Sequence, residues 1–129
     1  VPSEISYMKK LENLRLSHNK IAHLPPELGK CKNLQQLWLE VNLLEECVEE
    51  LRYLQSLRSV NLSCNKLLMI PVFFCELPNL KYFYVSDNPV QKSTIPPELL
   101  QKGGKELLDY LAEKRKESDR LGSLIGGLH

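Results

Sequence analysis

One arrangement recurs every 23 residues, and it leaves few folds open to this chain. With Leu11, Leu34, Leu57 and Leu80 as position 1, the pattern L-x-x-L-x-L-x-x-N-x-L returns in each unit. Its copies are Leu11, Leu14, Leu16, Asn19, Ile21; Leu34, Leu37, Leu39, Asn42, Leu44; Leu57, Val60, Leu62, Asn65, Leu67; and Leu80, Phe83, Val85, Asn88, Val90. The second half of the unit is also periodic. Position 14 is Leu24, Cys47, Ile70; position 18 is Leu28, Leu51, Phe74; position 21 is Cys31, Leu54, Leu77. Run backwards, the register gives these three positions to Val1, Ile5 and Met8. The chain therefore enters in mid-repeat, which implies a longer stack on its N-terminal side.

Apolar residues at positions 4 and 6 alternate with polar ones, the signature of a short strand with one buried face. The apolar set at 11, 14, 18 and 21 covers the other side of the coil. A single unit cannot bury both sets, so the units must stack. The predicted fold is an α/β solenoid, a curved stack with a short parallel β-sheet on its concave face. The asparagine at position 9 stands where the chain leaves the strand. Its amide donates and accepts, so Asn19, Asn42, Asn65 and Asn88 are expected to bond backbone groups of successive turns.

The fourth unit breaks the pattern. Ile95-Pro96-Pro97-Glu98-Leu99 echoes Leu24-Pro25-Pro26-Glu27-Leu28 but arrives two residues late. After Gly103-Gly104, residues 105–120 read as a helix with Leu107, Leu108, Leu111 and Ala112 on one face. A solenoid end exposes its core and needs a cap. The expected organisation is repeats over 1–94 (a half repeat at 1–10, then units from 11, 34, 57 and 80), a helical cap over 95–120, and a flexible tail over 121–129.

These motifs resemble the leucine-rich-repeat family. The 23-residue unit with Leu-Pro at positions 14 and 15, and the Asn-Pro-Val flank followed by a Leu-Leu-Asp-Tyr-Leu helix, is similar to the intracellular Ras-pathway scaffold and Scribble-type group. The second unit departs from it, with Cys47-Val48 in place of Leu-Pro. The resemblance covers about residues 1–112 and implies protein binding on the concave face, in the cytoplasm.

With positions 4 and 6 inward, positions 3, 5 and 7 face the concave side and positions 2 and 8 form its edges. Aromatic and arginine residues stand there where solubility alone would prefer small polar groups, and these types dominate interface hot spots. The candidate partner-binding residues are Arg15, Trp38, Glu40, Arg58, Asn61, Tyr82, Tyr84 and Asp87, with Trp38, the sole tryptophan, expected to be exposed.

The four cysteines share no repeat position, and no paired-cysteine cap follows the last unit, which favours a reducing compartment. Cys31 and Cys47 fall on core positions, and no C-x-x-C cluster suggests zinc. Asn61-Leu62-Ser63 is a glycosylation sequon, read as accidental because the strand pattern puts Leu62 in the core. His18 and His23 lie on different sides of a coil turn and read as solvated imidazoles.

A formal charge of +1 gives no electrostatic case for nucleic acid, and no apolar run is long enough to insert in a membrane. No nucleophile elbow, phosphate loop, paired-carboxylate motif or metal signature appears, so no cofactor and no enzyme activity are expected. The expected function is a non-catalytic scaffold or interaction module with a protein partner. The alternatives are a regulatory segment of a larger signalling enzyme and a structural component of a large assembly.

Overall fold

The computed structural model describes residues 1–90 and 95–126. Four strands, β1 (Asn13–Arg15), β2 (Gln36–Trp38), β3 (Ser59–Asn61) and β4 (Tyr82–Tyr84), form one parallel sheet in chain order. Its register pairs residues 23 apart: Leu14 with Leu37, Leu37 with Val60, Val60 with Phe83. Each strand thus occupies positions 3 to 5 of its unit.

The return paths of the half repeat and of the first three units carry one 3-10 helix each: Ser3–Tyr7, Pro26–Lys30, Glu49–Tyr53 and Val72–Glu76. Proline supports this path. Pro2, Pro25 and Pro71 stand at the N-caps in extended backbone, and Pro26 begins its helix where no partner for its nitrogen is needed. Gly29 lets neighbouring 3-10 helices approach, since a Cβ there would come within 2.5 Å of the Glu50 carbonyl oxygen.

The core runs through the coil centres. Leu37, Val60 and Phe83 of the strands meet Leu28, Leu51 and Phe74 of the return path, all at 0% exposure. The first coil is looser, and Leu11, Leu14, Leu16 and Ile21 are only partly buried. Interior coils are covered on both sides, whereas the strand half of the first coil has a neighbour on one side only, because the half repeat packs against its return path alone. For the same reason, of the three residues assigned to the half repeat, Ile5 is buried while Val1 and Met8 are exposed.

The asparagines bond along the stack. Asn65 Nδ2 donates to the carbonyls of Leu39 and Leu62, both at 3.0 Å, and Asn65 Oδ1 accepts from the Leu44 N–H at 3.0 Å. Asn42 and Asn88 repeat the same three bonds one coil away. Among the described residues Asn19 bonds only carbonyls of its own turn, Leu16 and Ser17.

Just before each asparagine the chain turns through the left-handed region. His18, Val41, Cys64 and Asp87 have φ of 57°, 59°, 57° and 57°. Nothing in the pattern signals this, because position 8 carries four different residue types. Val41 is the outlier: a β-branched side chain is strained at positive φ.

The end of the solenoid is closed by α1 (Pro97–Lys102) and α2 (Gly104–Gly126). Gly103 lies between them at φ 62°, ψ −146°, a region open essentially to glycine alone. A Cβ at Gly103 would meet the Phe83 carbonyl oxygen at 2.5 Å. Leu107, Leu108 and Leu111 are buried against the last coil. Arg115 of α2 makes an ion pair with Glu76, which also lies 3.9 Å from Arg52. The helix corrects two expectations. It starts at Gly104, and it continues through Gly126 rather than giving way to a flexible tail at residue 121. Residues 127–129 of that expected tail, and residues 91–94 at the expected boundary of the cap, lie outside the described residues.

Candidate partner-binding face

Alternation along the strands places the candidates. Leu37, Val60 and Phe83 point into the core, so their neighbours at positions 3 and 5 point to the opposite, concave side. Arg15, Trp38, Asn61 and Tyr84 form one register column there, and Asn13, Gln36, Ser59 and Tyr82 form another. Glu40 follows Trp38 by two residues. Arg58 and Asp87 stand exposed at positions 2 and 8, on the two edges.

The columns bond across strands. Asn13 Nδ2 donates to Gln36 Oε1 at 2.8 Å, Ser17 Oγ to Glu40 Oε1 at 2.6 Å, and Ser86 Oγ to Ser63 Oγ at 3.1 Å. On the edge, Cys64 Sγ donates weakly to Asp87 Oδ2 at 3.9 Å. Asn61 Oδ1 accepts from the Ser63 N–H at 3.0 Å, and Leu62 is fully buried, so the sequon is engaged in the strand exit. Ser59 is buried between the longer Gln36 and Tyr82 of the adjoining strands.

Three candidates sit differently from expectation. Trp38 is half-buried rather than exposed, because the flanking strands carry side chains against both sides of it. Among the described residues its Nε1 has no hydrogen-bond partner although it is buried, and the same holds for Glu40 Oε2. Tyr84 stands in the same register column as Trp38, and Tyr82, the more exposed of the two tyrosines, in the next. They line a cleft of about 680 Å³ between β4 and the capping helix, together with Leu80, Lys105, Leu108 and Asp109. The helix residues Lys105 and Asp109 were missed, since they lie outside the repeat register. Their signal is weak: they flank the apolar Leu108 on the same helix.

Another cleft, of about 600 Å³, runs along the 3-10 edge, lined by Pro26, Glu27, Lys30, Lys32, Glu50 and Tyr53. Charges of both signs surround it, as on any solvated edge. Among the described residues no group of three or more His, Cys, Asp and Glu side chains is placed to hold a metal ion. His18 and His23 are both exposed.

No thiol pairs with another. Cys31 is buried, with its Sγ 3.3 Å from the Ile5 carbonyl oxygen, and burial pushes its pKa up. Burial, reinforced by the Glu46 carboxylate, pushes the Cys47 thiol up to about 12. Burial also raises Cys75, while the nearby Arg115 opposes the shift. Cys64 is exposed.

Comparison with known proteins agrees with this geometry. A family profile described as Leucine Rich repeats (2 copies) matches residues 9–53, and one described as Leucine Rich Repeat matches residues 56–77. No curated protein matches the chain. Among solved structures, a leucine-rich-repeat protein of Leptospira interrogans is similar at 28% identity and a TM-score of 0.64. The alignment covers 78% of this chain and 31% of that protein, so the chain spans about a third of its length. No described helix is long and apolar enough to cross a membrane.

Proposed function

Because the chain belongs to the leucine-rich-repeat family, whose domains generally mediate protein–protein interaction, we propose that it is a non-catalytic module that grips a protein partner on its concave sheet face. The observation that carries this reading is the central column of β1 to β4. Arg15, Trp38, Asn61 and Tyr84 stand in register on the side of the sheet opposite the core, where four small polar residues would serve solubility better. Trp38 supplies the anchor, and Glu40 and Asn61 its polar surround. Arg58 and Asp87 form the rim. Tyr82 and Tyr84, with the capping helix, offer a separate cleft to the same partner. The likeness to Ras-pathway scaffold and Scribble-type repeats supports a role as a scaffold in cytoplasmic signalling.

The test is affinity capture from native extract, comparing the unchanged chain with Trp38→Ala and with Lys32→Ala on the far edge. Loss of a captured protein with Trp38→Ala alone is the expected result. If Trp38→Ala captures the same proteins in the same amounts, the concave-face reading falls.

A further inference from the structure

Granting the concave-face reading, we infer that the second repeat takes up an arginine side chain of the protein partner, its guanidinium held between the Trp38 indole and the Glu40 carboxylate.

Three departures from local preference fall within four consecutive residues. Trp38 Nε1 and Glu40 Oε2 are both withheld from water without a partner among the described residues. Val41 is held at φ 59° with its apolar side chain exposed. Buried polar groups left unbonded and β-branched residues at positive φ are both unfavourable, and such violations concentrate where a site is kept ready for a ligand. Elsewhere on the face the polar groups are matched to one another, as in the Asn13–Gln36 and Ser63–Ser86 pairs.

The chemistry of the unmet groups selects the occupant. A carboxylate oxygen is relieved by a donor, best a cationic one. Glu40 is the one carboxylate among positions 3, 5 and 7 of the four units. Beside it an indole face attracts a cation, and a flat guanidinium stacks on that face as an ammonium does not. The indole N–H then donates to a backbone carbonyl of the same partner segment. Val41 gives the methylene stem of the arginine an apolar shoulder.

Both unmet atoms are shielded in the free chain. Binding therefore turns the Trp38 and Glu40 side chains outward, a rotamer change of the kind common at interfaces. In the free chain Ser17 Oγ donates to the other Glu40 oxygen, and that hydroxyl must swing with the carboxylate or release it as the side chain turns outward. Arg15, beside Trp38 in the register, is exposed and makes no ion pair among the described residues. Its like charge directs the approach to the other side, past the neutral Asn61 and Ser63 of the third repeat.

The test uses three capped tripeptides, Gly-Arg-Gly, Gly-Lys-Gly and Gly-citrulline-Gly, titrated into the full chain. Trp38 is the sole tryptophan, so its indole N–H gives a single nuclear magnetic resonance signal to follow. The arginine peptide should move that signal, with the lysine and citrulline peptides at least about fivefold weaker. Glu40→Gln should erase the preference for arginine over citrulline, and Arg15→Ala should strengthen arginine binding. Should Glu40→Gln not fold, Glu40→Asp, which withdraws the carboxylate by one methylene, should weaken arginine binding about threefold or more. A signal that the arginine peptide leaves unmoved, equal response to citrulline, a preference that survives Glu40→Gln, or arginine binding undiminished by Glu40→Asp overturns the assignment. If partner capture still depends on Trp38 in that case, the concave-face reading stands and only the arginine occupant is wrong.

Discussion

Replacing Asn65 by alanine should show how much of this stack rests on one amide. In the folded chain the Leu44 N–H has Asn65 Oδ1 as its acceptor, and the substitution leaves that buried donor unpaired. An orphaned buried backbone donor costs about 1–3 kcal/mol. The carbonyls of Leu39 and Leu62 are affected less. Each keeps a second donor, from Asn42 and Asn88 respectively. With about 0.5 kcal/mol for each of those partial losses, the total is about 2–4 kcal/mol. Asn19→Ala is the internal control. Its side chain is exposed and, among the described residues, bonds only the Leu16 and Ser17 carbonyls of its own turn, so water can replace it at a cost of about 1 kcal/mol or less. Urea unfolding followed by Trp38 fluorescence and by circular dichroism measures both. Amide hydrogen exchange should show the Leu44 N–H losing protection in Asn65→Ala. Equal losses for Asn65→Ala and Asn19→Ala would refute the claim that bonding between coils, rather than within a turn, is what the asparagine contributes.

Three further outcomes follow from the same geometry. Gly103→Ala forces both a clash with the Phe83 carbonyl oxygen and a backbone region open essentially to glycine, so it should cost about 3 kcal/mol or more and raise proteolysis in α2 ahead of the sheet. Val41→Asn relieves the strain at φ 59° and should stabilise the chain by about 1 kcal/mol in urea while weakening partner capture; a loss of stability would contradict the strain. The Cys47 thiol has its pKa raised from 9.0 to about 12 on folding, so the unfolded chain loses its proton first as pH rises. Its stabilising contribution is complete below about pH 9 and is lost between about pH 9 and 12, and Cys47→Ala should flatten that part of the stability–pH curve.

The repeat made much of this protein legible. Strand positions, the inward set Leu37, Val60 and Phe83, and the asparagine bonds could be read from residue types because each contact recurs at a separation of 23. A periodic contact leaves a periodic trace. Where the stack ends, the trace stops. The exposure of Val1 and Met8, the Tyr82–Tyr84 cleft against α2, and the extension of that helix to Gly126 depend on which neighbour is present rather than on the register.

For the concave face the division is finer. Sequence alone put Trp38 and Glu40 on one face through the apolar alternation at Leu37 and Leu39, which continues past the end of β2 at Trp38. Only the tertiary structure decided that both present an unbonded buried atom, and that Val41 beside them is held at positive φ. The positive φ recurs at position 8 of every coil, but the shielding of the two atoms depends on the side chains of the adjoining coils, and no single coil contains that information.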